Sequence, residues 1–220
     1  MIADTKRYNI TLVNQPSPFV WFRVAKTGTR TVLKVLRESG AAFVSEEGHQ
    51  LPLPKCGFQN YFKFTFVRNP YDRLISGWTN KVINGGSGGG LQGIKSPERL
   101  MNFDYFVDWL INQNPNEINI HYRPQALLVP PEVDFTGRTE SIERDLQFVL
   151  SQVGLDVRQR IPHENSTGPR RINLIDIKSS TIKSINILYR EDFERFDYPI
   201  FNGTQVRKNI FPKIVSGYAK

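Results

Sequence analysis

An α/β layered domain with a central, mostly parallel sheet flanked by helices is predicted by two strand-to-helix junctions and by the alternation that continues after them. The first junction is "FVWFRVAKTGTRTVLKVLRESG", Phe19 to Gly40, and the second is "NYFKFTFVRNPYDRLISGWTNKV", Asn60 to Val82. In each, an apolar and aromatic run has the character of a strand buried on both faces, a cation stands near the junction, and a helical apolar stripe follows. The 220 residues suffice for one sizeable core. With no repeat at a solenoid period and no sign of a second core, residues 1–220 are read as a single domain.

The elements follow in chain order. Phe19 to Val24 is the first strand, and Val32, Leu33, Val35 and Leu36 give the stripe of a helix that Gly40 closes. Ala41 to Ser45 reads as a second short strand with "EEGH" at its end. Tyr61 to Val67 is the next strand; Asn69 caps the following helix, Pro70 suits its first position, and Leu74, Ile75, Trp78 and Val82 form its stripe. Asn84 to Gly90, "NGGSGGG", holds regular structure poorly and reads as a flexible surface loop, or as a lid that orders on binding. Asn102 caps a helix with Phe103, Phe106, Trp109 and Leu110. A short strand begins at Val133, and the helix after it turns Leu146, Val149, Leu150 and Val153 inward and closes at Gly154. Ile175 to Leu188 reads as the last long helix, and "DFERFDY" as a packing segment.

Lys and Arg exceed Asp and Glu by 29 − 21 = 8, so the surface attracts anions. The single cysteine, Cys56, permits no intrachain disulfide and favours a reducing compartment. The N-terminus lacks the apolar stretch of a signal peptide, and no run reaches the ~18 to 20 apolar residues of a membrane span. The expectation is a soluble, cytoplasmic chain. On that basis "NIT" at Asn9, "NST" at Asn165 and "NGT" at Asn202 are read as chance polar loop sequences.

The chemistry concentrates at the two junctions. At the carboxyl ends of parallel strands, helix N-termini present unpaired N–H groups to anions. "AKTGTRT" lies at such a place: Gly28 lets the backbone approach a ligand, and Thr27, Thr29 and Thr31 offer hydroxyl donors. The spacing GxxxxGK[ST] of the common nucleotide loop is absent, since Lys26 precedes the glycine. A lysine there can neutralise charge developing on a leaving group. At the second junction, Arg68 at the strand end and Ser76, 76 − 68 = 8 residues later on the helix, can grip one phosphate together. Two separate anion grips suggest a ligand with two separated anionic groups.

"VAKTGTRTV" and "FTFVRNPYDRLISGW" resemble the 5′-phosphosulfate loop and the 3′-phosphate motif of sulfotransferases that use 3′-phosphoadenosine 5′-phosphosulfate (PAPS), the carbohydrate sulfotransferase families above all. "HYRPQ", "VDFTGRTESIERDL", "PHENST" and "LYREDFERFDY" resemble later segments of those families in the same order, so the likeness spans most of Phe19 to Tyr198. The resemblance implies a P-loop-like α/β fold and PAPS as donor, leaving as 3′-phosphoadenosine 5′-phosphate (PAP). It implies that Lys26 contacts the phosphosulfate and stabilises its bridging oxygen, and that Thr27, Gly28, Thr29, Arg30 and Thr31 hold the other oxygens. Arg68 and Ser76 would bind the 3′-phosphate, and a hydroxyl of an acceptor, a saccharide, would receive the sulfuryl group.

Such a transfer needs in-line placement and a base beside the acceptor oxygen, and in principle no metal. Related sulfotransferases place a His or Glu after a neighbouring strand, which makes His49 the first choice, with Glu47 and Glu46 behind it. His121 in "HYRPQ" is the rival. His163 lies in "PHENST", where Asn165, Ser166 and Thr167 are expected to shape the nucleotide pocket, and Arg170 and Arg171 follow as candidates for an anionic acceptor. Glu140 is read as complementing the helix it begins. The competing functions are a phosphotransferase with an atypical loop, a basic nucleic-acid-binding module, and a nonenzymatic glycan binder. The Lys-first loop opposes the first, and no helix-turn-helix, zinc or RNP signature supports the second.

Overall fold

The computed structural model describes residues 7–52, 58–86, 97–156 and 172–202, with the backbone alone for 45–52. Five strands form one sheet: β1 (Arg7–Gln15), β2 (Phe19–Phe22), β3 (Ala42–Pro52), β4 (Phe62–Val67) and β5 (Phe135–Arg138), in the order β3-β1-β2-β4-β5. β2, β4 and β5 pair in parallel, while β1 is antiparallel to both β2 and β3. Four strands therefore run one way and β1 alone is reversed. The sheet is mainly parallel, as expected, with an unforeseen reversed strand inside it.

The helices are α1 (Thr29–Glu38), α2 (Pro70–Trp78), α3 (Phe103–Ile111), α4 (Ile142–Gln152), α5 (Ser179–Leu188) and α6 (Arg190–Arg195). Period-two alternation along β2 assigns its two faces. Phe19 and Trp21 join Phe64, Phe66 and the inward residues of α1 and α4, whereas Val20 and Phe22 pack with Tyr8 and Ile10 of β1. Trp21 stacks on Phe64 with ring centroids 6.1 Å apart. Phe66 lies opposite Gly137 in the register, and a Cβ on that glycine would come within 2.5 Å of its ring, so no larger residue fits there. A third cluster joins α2, α3, α5 and α6 to Val24, just past the end of β2, and to Val67, the last residue of β4. That packing holds the two strand ends against a shared helical wall.

Several expectations are corrected. Asn9 is not in a loop: it lies within β1, opposite Gln50 of β3, and its carbonyl accepts the N–H of Arg23 on the other side. β3 runs on to Pro52 rather than ending at Ser45, so "EEGH" lies within the strand. An edge strand tolerates polar residues because one of its sides is unpaired. The strand expected from Val133 starts at Phe135, and the long helix expected from Ile175 starts at Ser179, after a short 3₁₀ turn over Leu174–Asp176, with α6 following it. The side-chain caps at Asn69 and Asn102 are present: each accepts a backbone N–H of its helix, from Tyr71 and Tyr105 respectively. The segment "DFERFDY" packs as expected, with Asp192, Phe193, Phe196 and Tyr198 buried. No helix among the described residues is long and apolar enough to cross a membrane.

Candidate functional site

At the carboxyl end of β2 the chain turns through Lys26 and Gly28 into α1. Both residues have left-handed backbone angles, φ 73° and 81°. Gly28 is adapted to this, and a Cβ there would also approach Ile142 within 2.7 Å. Lys26 is not, and a non-glycine residue held in this region is strained, a feature that concentrates at ligand clamps. α1 begins without a side-chain cap and without an acidic residue in its first turn, so its leading N–H groups remain suited to an anion.

A cavity of about 440 Å³ opens at this strand end. It gathers Lys26, Gly28, Thr29 and Arg30 from the first junction and Arg68 and Ser76 from the second. The two grips expected from sequence thus share one cavity, and the Arg68 guanidinium donates to the Lys26 carbonyl at 3.4 Å. Ser76 is buried rather than solvent-facing. Arg23 and Lys81 also line the cavity, which makes five cationic side chains among the described residues, and none of the described residues that line it is Asp or Glu. A site of this composition is built for a ligand carrying several negative charges.

Two threonines depart from the expected role. The Thr27 hydroxyl donates to the Val24 carbonyl at 2.9 Å and Thr29 donates to the same oxygen at 3.2 Å, so both protons serve the loop itself. Thr27 and Thr31 are buried, and neither is among the cavity walls. What the loop offers an anion is its backbone N–H groups, Lys26 and Arg30.

The like charges act on one another. Burial, then Lys81, Arg68, Arg30 and Arg73, pull the Lys26 ammonium down to about 8. Burial, then Lys81, Lys26 and Arg73, pull His121 down to about 4, so its imidazole is neutral at pH 7. The His121 backbone N–H donates to Asn119 Oδ1 at 3.1 Å, which fixes that atom as the acceptor; His121 Nδ1 lies 2.7 Å from the same oxygen and must therefore carry the hydrogen. Its Nε2 is left as an acceptor at the cavity wall.

Sequence reasoning passed over the residues that hold these groups in place. Arg73 is fully buried and donates to the carbonyls of Ala25, Arg123 and Ile120, tying the loop before Lys26 to the segment carrying His121. Gln125 accepts the N–H of Arg68 and donates to its carbonyl, both at 2.9 Å, and Asp192 accepts from the Gln125 side chain. The Glu140 carboxylate hydrogen-bonds away from the helix it precedes. It accepts from the N–H of Asn69 at 2.7 Å and from the Tyr198 hydroxyl at 2.9 Å. The later segments thus brace the Arg68 strand end, a tertiary role without a local sequence signal. Asn80 and Lys81 lie on a π-helical turn over Thr79–Ile83, closed by Asn84 N–H donating to the Thr79 carbonyl at 3.0 Å. Such turns are frequent at functional sites.

His49, Glu46 and Glu47 fall where only the backbone is described. That backbone places His49 opposite Ile10, which in turn pairs with Phe22, so His49 is level with the carboxyl end of β2, two strands away. His163, Asn165, Ser166, Thr167, Arg170, Arg171 and residues 87–90 of the glycine run lie outside the described residues.

The profile of the sulfotransferase family matches residues 10–199. Carbohydrate sulfotransferase 14 of Danio rerio is 29% identical over 170 residues, 66% of this chain and 46% of the relative. Its Mus musculus counterpart is 27% identical over 173 residues, 67% of this chain and 45% of the relative. Carbohydrate sulfotransferase 11 of Danio rerio is 27% identical over 221 residues, 81% of this chain and 63% of the relative. The chain thus spans less than two thirds of the length of these relatives. No solved structure matches it.

Proposed function

The chain belongs to the sulfotransferase family, and from that premise we propose that it transfers the sulfuryl group of PAPS to a hydroxyl of an acceptor saccharide. The observation that carries this reading is the one cation-lined cavity that holds Lys26 and the Arg68–Ser76 pair together. The saccharide is suggested by the relatives, which are carbohydrate sulfotransferases. The β2–loop–α1 unit supports a P-loop-like reading of the fold, with the lysine moved ahead of the glycine.

In this reading the acceptor oxygen forms a bond to sulfur as the bond from sulfur to the bridging oxygen breaks, giving a sulfate ester and PAP. Lys26 meets the charge that gathers on the bridging oxygen. Arg30 and the N–H groups at the start of α1 hold the remaining 5′ oxygens, and Arg68 and Ser76 hold the 3′-phosphate. His49 takes the acceptor proton, supported by its level beside the end of β2. His121 is the second reading, favoured by its place in the cavity and its available Nε2. Against it stand its burial and then the cationic field, which make it a weak base in the unliganded protein.

Arg68→Ala tests the 3′ grip. A charge-assisted contact to phosphate contributes about 1.5 to 3 kcal/mol, so PAP should bind roughly tenfold to 150-fold more weakly. Adenosine 5′-phosphosulfate, which lacks the 3′-phosphate, should bind almost as before. Calorimetric titration of both nucleotides reads this directly. Equal losses for the two would remove Arg68 from the 3′ subsite.

A further inference from the structure

Asn9 lines the same cavity as Lys26, but from the other side of it. In the order β3-β1-β2-β4-β5, the Lys26 loop leaves β2, Arg68 follows β4 on one flank, and Asn9 belongs to β1 on the other. The Arg23 N–H donates to the Asn9 carbonyl at 2.7 Å, which locks this stretch of β1 beside the strand end. The Asn9 side-chain Oδ1 is buried and has no hydrogen-bond partner among the described residues.

A buried carbonyl oxygen without a partner is destabilising, and such an atom calls for an explanation. The phosphate and sulfate groups of the donor molecule do not supply one, and its ribose hydroxyl and adenine amino group, which could, belong with the 3′-phosphate on the β4 side. Phosphate and sulfate oxygens only accept hydrogen bonds, and an acceptor facing them would be repelled. The group that satisfies Oδ1 must bring its own O–H or N–H.

We propose that Asn9 binds the acceptor, receiving a hydrogen bond from a hydroxyl of the saccharide adjacent to the one that is sulfated; this rests on the sulfotransferase reading above. The cavity is then divided along the sheet. The nucleotide's 3′-phosphate lies toward β4, the transferring group lies at Lys26 over β2, and the neutral, hydroxyl-bearing acceptor lies toward β1. Asn9 is a specificity-determining residue in this scheme and takes no part in bond making.

The test compares the wild-type protein with Asn9→Ala. A panel of unsulfated oligosaccharides, offered with PAPS, identifies the best acceptor, and single-deoxy versions of that saccharide serve as probes. Asn9→Ala should raise the acceptor KM roughly tenfold, with kcat and the thermal shift produced by PAP unchanged. One deoxy probe should lose the same factor with the wild-type protein and nothing further with Asn9→Ala. An unchanged acceptor KM, or no deoxy probe whose loss disappears in the variant, overturns the assignment. Loss of the PAP shift in Asn9→Ala overturns it too, by placing the residue on the nucleotide side. Transfer to no saccharide by a wild-type protein that still binds PAP overturns the acceptor reading itself, and the assignment falls with it.

Discussion

Lys26→Ala is expected to remove sulfuryl transfer, lowering kcat by at least about 10²- to 10³-fold, the range for losing one preorganised group at a developing oxyanion. The physical ground is position and charge. Lys26 stands at the turn into α1, in a left-handed conformation that the surrounding loop imposes, and it lines the cavity between the two grips. Alanine carries the same left-handed cost as any other side chain with a Cβ, so the variant removes the ammonium without relaxing the loop. Transfer from labelled donor, with PAP binding followed in parallel, checks this. Near-normal turnover by the folded variant would remove Lys26 from the chemistry.

The same lysine sets a pH dependence. Its ammonium titrates near 8 in the unliganded protein because burial and four cationic neighbours disfavour its charge. An anion restores that charge and raises the value, so binding above pH 8 must take up a proton. PAP affinity should therefore be level below pH 8 and fall above it, by up to about tenfold per pH unit. This fall should be absent from Lys26→Ala.

The second large effect is expected at His49. If its imidazole takes the acceptor proton, His49→Ala should cost about 10²- to 10⁴-fold in kcat while PAP binds normally. His121→Ala, measured beside it, should cost much less in rate. The contrast follows from the surroundings of His121: burial, then Lys81, Lys26 and Arg73, hold it near 4 at the cavity wall. A loss of only a few-fold in His49→Ala would transfer the role to His121 or Glu47.

The two junctions were legible because each compresses its logic into a dozen residues. A buried strand must be apolar, a helix start needs a cap or an anion, and a ligand grip adds a cation at the seam between them. Asn69 and Pro70 illustrate this, with both the side-chain cap and the first-turn proline present. β1 was missed although its signal is visible. Tyr8, Ile10 and Leu12 alternate with Asn9 and Thr11, the period-two pattern of a half-buried strand, and the "NIT" triplet drew the reading toward a loop instead. Lys81 was missed because a regular helix would turn it about 140° away from Ser76 at 100° per residue. The π turn changes that phase and brings both to one cavity. Arg73, Gln125 and Glu140 could not be read locally at all, since their partners lie 47 to 71 residues away along the chain.

The central claim is that one cavity grips a nucleotide by its 5′ and 3′ anionic groups at once. Thermal unfolding of the purified protein with PAP, against ATP with magnesium, tests it most directly. PAP at about 100 times its dissociation constant contributes ~2.7 kcal/mol, which raises Tm by roughly 5 to 10 °C for a chain of this size. That shift is expected with PAP, and little with ATP and magnesium. No shift with PAP, or a shift with ATP and magnesium alone, would contradict it.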